Sequence, residues 1–129
     1  MSILGAVIVP HPPLIIPTVG RGREQEVQST IDAYQTVAKQ VAAWKPEVLI
    51  ITSPHQVMYS DYFHISPGWG ATGDMSAFGA SGTKLRVEYD AQLREEVIRR
   101  TESAELRVGT LGQRDPYLDN GTCVTLYCL

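Results

Sequence analysis

Residues 3–13, ILGAVIVPHPP, and residues 47–55, EVLIITSPH, each place a histidine shortly after an apolar run. Runs of this length that are rich in β-branched residues and bounded by proline are typical of buried strands, apolar on both faces as central parallel strands are. The sequence therefore predicts strands at 3–9 and 47–52, with His11 and His55 just beyond their carboxyl ends.

The residues between these two runs have the pattern of an amphipathic helix. Residues 24–44 carry apolar side chains at steps of three and four, which predicts one buried helical face. That face consists of Val27, Ile31, Tyr34, Ala38 and Val41. Pro46 ends the helix. Strand, helix and strand with short connections form a βαβ unit, whose two strands are parallel.

The downstream sequence predicts further elements of the same fold class. Strands are expected at 61–66, 84–89 and 105–111, a helix from Ala91 to about Thr101 with Asp90 as its cap, and a long glycine-rich loop at 68–82. We therefore expect an α/β fold with a mostly parallel central sheet flanked by helices, forming one domain over residues 1–129.

Composition excludes several broad classes of protein. The 129 residues carry a net charge of −3 and no basic stripe, which does not favour nucleic acid. No apolar run reaches the roughly 20 residues that span a bilayer, and the first apolar run has no Lys or Arg before it, unlike a signal peptide. Two cysteines are too few for a disulfide scaffold, so a cytoplasmic location is expected.

The C-terminal run, GTCVTLYCL, is apolar and has no polar tail. We expect either that the domain is truncated there or that this run docks on the core or on a second subunit. Cys123 and Cys128 are five residues apart, on different faces of a helix, so we interpret them as core thiols and not as a shared metal site.

His11 and His55 are the candidate metal ligands. The carboxyl ends of parallel strands meet at one edge of a sheet, where open α/β sheets bind ligands, and adjacent strands lie about 4.8 Å apart. Two neutral imidazoles at such spacing suit Fe, Zn or Mn. The alternative is two loop histidines that bond to backbone. His64, within DYFHISP, is interpreted as a strand residue with a satisfied side chain.

Three motifs carry a family resemblance. AVIVPHPPLIIP, IITSPH and DYFHISP, in that order, resemble the LigB-like catalytic subunit of class III extradiol ring-cleavage dioxygenases. The similarity is greatest to the AmmeMemoRadiSam branch, often joined to an AMMECR1 domain. LDNGTCVTLYCL resembles that branch's Asp-His-Gly-Thr stretch, which leads into a helix. The resemblance covers about the first half of the family's domain, a LigB-like three-layer αβα fold.

The resemblance implies a non-haem Fe(II) centre held by two histidines and one glutamate. The histidines correspond to His11 and His55, and Zn(II) is a possible substitute metal. The glutamate would lie downstream of this chain, since neither Glu88 nor Glu95 matches its motif. The family's proton-handling histidine corresponds to Asn120, which cannot shuttle a proton near pH 7.

The implied reaction is ring opening of a small aromatic diol by O2, but whether this chain is an enzyme stays open. Without the glutamate and with Asn120, we expect little or no ring cleavage by the chain itself. One alternative is a non-catalytic metal-binding domain like the Memo proteins. The other is an interaction module, as a homo-oligomer or with an AMMECR1-type partner domain. The loop 68–82, with Trp69 and Phe78, is expected to line the site.

Overall fold

The computed structural model describes residues 2–112 and 117–129. It contains both helices and strands. In chain order the elements are α1 (Pro17–Gly20), α2 (Gln28–Trp44), β1 (Phe63–His64), β2 (Gly70–Met75), β3 (Ala80–Glu88), α3 (Ala91–Glu102), β4 (Val108–Gly109) and α4 (Asn120–Cys128). Short 3-10 helices lie at Pro13–Ile15, Arg23–Val27 and Ser76–Phe78. The predicted α/β class is confirmed, and the helices with a small parallel sheet are compatible with a three-layer αβα arrangement.

The parallel sheet is small. β1 pairs with β4, with Phe63 opposite Val108 and His64 opposite Gly109. Both strands fall inside the predicted ranges 61–66 and 105–111, but each is only two residues long.

The expected strands at 3–9 and 47–52 are wrong in this structure. Neither range forms a strand, and Ile3, Ile8 and Ile50 are 91%, 103% and 77% exposed. Within the described residues, no backbone hydrogen bond joins either run to a neighbouring strand. A run of apolar residues becomes a strand only where a partner supplies its hydrogen bonds, and no strand among the described residues does so.

The predicted loop at 68–82 is also wrong, because most of it belongs to an antiparallel hairpin. β2 and β3 pair with Gly70 opposite Glu88, and a 3-10 turn ending at Gly79, with φ of 76°, joins them. Glycine is a weak strand former, but its small size has a use here. A Cβ at Gly73 would lie 2.6 Å from Leu118, so the missing side chain lets β2 approach the start of α4.

The half-buried strand predicted at 84–89 is confirmed within β3. Its inward side chains are Leu85 and Val87, and its outward side chains are Lys84, Arg86 and Glu88. This alternation is the period of two that a strand imposes on its faces.

The predicted helix after Asp90 is confirmed as α3, and the helix predicted at 24–44 is confirmed from Gln28 onward, whereas Arg23–Val27 is a 3-10 helix. α2 ends at Lys45, whose φ of 49° is left-handed, directly before Pro46. Tyr34 on its inner face is buried. At α3, Asp90 caps the helix as predicted by accepting a hydrogen bond from the backbone N–H of Leu93.

The core lies between the hairpin, α2, α4 and the turn before α1. Its buried apolar residues are Ile15, Ile16, Tyr34, Ala71, Met75, Ala80, Leu118, Cys123 and Val124. The apolar C-terminal run therefore forms a helix that docks on the core. Cys123 is a buried free thiol, as expected, and Cys128 is a half-buried one. Burial, chiefly, raises the pKa of Cys123 to about 11.

Across residues 2–112 and 117–129, no helix combines the length and the apolar character that a membrane crossing requires.

Candidate metal-binding site

His11 is held near α2 by its preceding residue. The Tyr34 hydroxyl, on the buried face of α2, donates a hydrogen bond of 2.5 Å to the carbonyl oxygen of Pro10. The 3-10 helix Pro13–Ile15 begins two residues after His11 and carries Ile15 into the core. The core therefore fixes the backbone on both sides of this histidine.

His55 is tied to the start of α4. The Ser53 hydroxyl donates a hydrogen bond of 2.6 Å to the Asp119 carboxylate and accepts one of 3.3 Å from the backbone N–H of His55. A chain of two hydrogen bonds thus connects the His55 backbone to a residue 64 positions later, although the apolar run before it forms no strand.

The two imidazoles meet, as the sequence predicts. The Nε2 atoms of His11 and His55 are 2.8 Å apart, and the ring centroids are 4.8 Å apart with the planes at 85°. His11 is half-buried and His55 is exposed, so the pair opens to solvent. At this distance one Nε2 donates and the other accepts, which means that a single proton lies between them.

This donor pair fits two positions of a divalent metal site. Two nitrogens that each lie about 2.1 Å from one ion, at tetrahedral or octahedral angles, are themselves about 3.0–3.4 Å apart. The Nε2 atoms of His11 and His55 would reach that separation by moving apart by a few tenths of an ångström. Neutral imidazole is a common ligand for Fe and Zn, and a metal ion would take the place of the shared proton.

A third ligand is not found in the part of the chain that the structure describes. There, no group of three His, Cys, Asp or Glu residues is placed to hold a metal ion. Glu88 and Glu95 are both exposed. The described residues therefore offer two imidazoles but no carboxylate of the kind that completes a facial site.

Asp119 is the one buried charged residue among those described, at 5% exposed. Its carboxylate accepts hydrogen bonds from the backbone N–H groups of Gly121 and Thr122, from the Thr122 hydroxyl and from the Ser53 hydroxyl. Burial raises the pKa of Asp119, but the hydrogen bonds from Ser53 and Thr122 outweigh it and hold the pKa below its ordinary value. The ionised carboxylate also suits the positive end of the helix dipole.

Asn120 is the first residue of α4 and is half-buried. Its neighbour Gly121 faces the histidine loop, since a Cβ there would lie 2.9 Å from Ser53 Oγ and 3.1 Å from His55 Cδ2. The position assigned to the family's proton-handling histidine is thus one residue from a contact with His55. An asparagine amide there can donate and accept hydrogen bonds but carries no titratable proton.

His64 lies in β1, as predicted, but its side chain is not satisfied. Its Nε2 atom is buried without a hydrogen-bond partner among the described residues, and burial lowers its pKa. This nitrogen without a partner among the described residues corrects the expectation of a satisfied side chain.

Trp69 and Phe78 are 81% and 42% exposed. Trp69 lines an open groove along the β2–β3 hairpin, and neither histidine of the pair belongs to that groove. Their expected contact with a substrate at the histidines stays a prediction.

Sequence reasoning missed Asp119, Ser53 and Gly121 as parts of the site. One signal was present: an aspartate shortly before an apolar run is typical of a helix N-cap. That pattern predicts the cap of α4. The contact with Ser53 depends on how α4 packs, which local sequence does not encode.

Comparison with known proteins gives one family. The family model of the catalytic LigB subunit of aromatic ring-opening dioxygenase matches residues 5–129. A Clostridium acetobutylicum protein described as Protein CA_C1420 is 30% identical over 97 residues, which are 75% of this chain and 21% of that protein. The chain thus spans about a fifth of the length of this curated relative. No solved structure matches the chain.

Proposed function

The chain belongs to the family of the catalytic LigB subunit of aromatic ring-opening dioxygenases, and from this we propose that it supplies two iron ligands, His11 and His55, to an extradiol-type dioxygenase domain. The substrate class is a small aromatic diol and the co-substrate is O2. Residues 1–129 are one part of that domain, with the glutamate ligand supplied from outside the described residues.

One observation carries the proposal: the facing Nε2 atoms of His11 and His55, 2.8 Å apart. The two residues are 44 positions apart in the chain and come from separate segments. Two loop histidines that only bond to backbone, the alternative reading of the sequence, have no reason to direct the same ring nitrogen at each other.

A bound Fe(II) would supply Lewis acidity and a common template for the diol and oxygen. The chain's own residues then have limited roles. His11 and His55 bind through Nε2, which requires both rings to carry their proton on Nδ1. Asn120 can hydrogen-bond to a substrate at the edge of the site, but it cannot accept or return a proton during the reaction. Zn(II) fits the same two nitrogens.

A second candidate is a metal-binding domain without catalysis, similar to the Memo proteins. The absence of a three-residue ligand cluster in the described residues favours it, as does Asn120 in place of a proton-handling histidine. Membership of the AmmeMemoRadiSam branch, with an AMMECR1-type partner domain or self-association, belongs to the same proposal. The length of the curated relative leaves room for further domains.

Metal content tests the proposal directly. Protein purified without oxygen and reconstituted with Fe(II) is expected to retain about one iron per chain, while His11→Ala and His55→Ala retain little. His64→Ala is the matched control, because it removes a histidine from outside the pair. Equal iron in all four proteins, or none in the wild type, would refute the two-histidine site.

Oxygen uptake with protocatechuate then tests whether the chain catalyses ring opening by itself. We expect iron-loaded wild type to bind metal but to consume little or no oxygen above a buffer control with free Fe(II). Clear turnover that His55→Ala abolishes would show that the chain completes the ligand set by itself, and the non-catalytic candidate would be discarded.

A further inference from the structure

We infer that Asp119 positions His55, acting through the Ser53 hydroxyl, and that this buried carboxylate sets the approach of the two imidazoles. The inference rests on the proposed function insofar as the imidazole pair is a metal site. Asp119 would be a positioning residue, because it touches the Ser53 side chain and not the reacting atoms.

The Ser53 hydroxyl is the link between Asp119 and His55. A hydroxyl has one proton to donate and lone pairs to accept with. Its proton goes to the Asp119 carboxylate at 2.6 Å, which fixes the hydroxyl's rotation. A lone pair is then left for the backbone N–H of His55 at 3.3 Å. The carboxylate therefore fixes which side of the Ser53 hydroxyl faces this N–H.

Asp119 is itself a fixed reference point. One of its oxygens accepts from the backbone N–H groups of Gly121 and Thr122, at 2.9 and 3.1 Å, and the other accepts from the Thr122 hydroxyl at 2.7 Å. The helix that it caps carries Cys123 and Val124, both 0% exposed, into the core. The carboxylate therefore transmits the rigidity of the core to the histidine loop.

The ring of His55 is also restrained from the side of α4. The space that a Cβ at Gly121 would need is taken by Ser53 and His55. His55 thus rests against the first turn of α4, and its backbone is held through Ser53. The run 47–52 before it makes no strand, and these contacts restrain the loop from the side of α4.

If Asp119 serves only as a helix cap, the substitutions around it should have different relative effects. Ser53→Ala removes the link to His55 but leaves the three hydrogen bonds within α4 intact. Thr122→Val removes one hydroxyl from the same carboxylate without touching the link. Ser53→Thr keeps the hydroxyl and should restore whatever Ser53→Ala loses. If Asp119 acts only as a helix cap, Thr122→Val should disturb the imidazole pair more than Ser53→Ala does.

The test uses metal-free protein with ¹⁵N-labelled histidine. In the wild type, imidazole NMR spectra should show one protonated and one unprotonated Nε2 within the His11–His55 pair. Ser53→Ala should average these signals towards free imidazole, whereas Thr122→Val and Ser53→Thr should keep them. Unchanged imidazole signals in Ser53→Ala would overturn the inference.

Zn(II) titration by calorimetry separates this inference from the proposed function. Removing a group that orients a metal ligand costs about 10–100-fold in affinity. Because Ser53 acts on the His55 backbone, we expect about 10-fold weaker Zn(II) binding in Ser53→Ala and less than 2-fold in Thr122→Val. If the wild type binds no Zn(II) but Ser53→Ala still alters the imidazole signals, the proposed function fails and the positioning role stands. If the wild type binds Zn(II) and Ser53→Ala changes neither measurement, only the positioning role fails.

Discussion

The hairpin with α4 and the two apolar runs before the histidines are opposite cases of how apolar residues are used. Met75 at the end of β2 and Val124 in α4 are both 0% exposed. Ile8 and Ile50, in the runs 3–9 and 47–52, are 103% and 77% exposed. The apolar character of the two regions is similar, but only the first has partners that bury it.

This difference shows what holds the two histidines in place. Burial stabilises the hairpin and α4, because each apolar side chain removed from water contributes about 1.5–3 kcal/mol. The apolar runs before His11 and His55 gain little of this stabilisation. Tyr34 holds the carbonyl of Pro10, and Ser53 links His55 to Asp119. The candidate site is therefore built by connecting weakly buried segments to a buried framework at a few points.

The largest expected effect is loss of stability when the framework is weakened. Met75→Ala should lower the free energy of unfolding by about 2–5 kcal/mol, because it leaves a cavity in a fully buried place. Urea denaturation followed by circular dichroism measures the change. Met58→Ala is the matched control, since Met58 is 74% exposed, and it should change stability by less than about 0.5 kcal/mol. Equal effects of the two substitutions would contradict the assignment of the core.

An intermediate effect is expected from acid. The pKa of Asp119 is lowered in the folded protein, so the stability that its ionised form contributes is present above the unfolded pKa of about 3.9. That contribution is lost as the pH falls through the lower, folded pKa. The neighbouring Cys123 thiol stays neutral in this range, because its pKa is about 11.

Unfolding of the wild type and of Asp119→Asn at pH 7 and pH 3 measures this contribution. The wild type should be more stable than the variant at pH 7 by on the order of 1 kcal/mol, and this difference should shrink towards pH 3. A difference that is the same at both pH values would mean that the charge of the carboxylate does not contribute to stability.

The sequence predicted best those elements whose signals are local. The apolar stripe of α2, the Asp90 cap of α3 and the alternation of β3 all follow from neighbouring residues, and the structure has all three. The strands predicted at 3–9 and 47–52 are wrong, because a strand depends on a pairing partner and a local sequence pattern does not specify one. The loop predicted from the glycines at 68–82 was wrong for the opposite reason. Pairing with β3 orders a sequence that has little strand preference of its own.

The sequence predicted that His11 and His55 come together, but not which contacts support them. His11 and His55 could be paired by their matching positions after two apolar runs, and their ring nitrogens do meet. The predicted reason for their contact was wrong, since it assumed that each histidine follows one of two neighbouring strands. The contact of Ser53 with Asp119 spans 66 positions and is a product of tertiary packing.

The smallest effect is expected where the sequence and the structure disagree most. Ile8→Ala should change the free energy of unfolding by less than about 0.5 kcal/mol, because the side chain is 103% exposed. Ile16→Ala is the matched comparison, since Ile16 is 0% exposed and its loss should cost about 2–5 kcal/mol. If urea denaturation gives Ile8→Ala a cost close to that of Ile16→Ala, residues 3–9 are buried in solution. The run before His11 would then be the strand that its sequence predicts, and the histidines would be held by a sheet instead of by isolated links to the core.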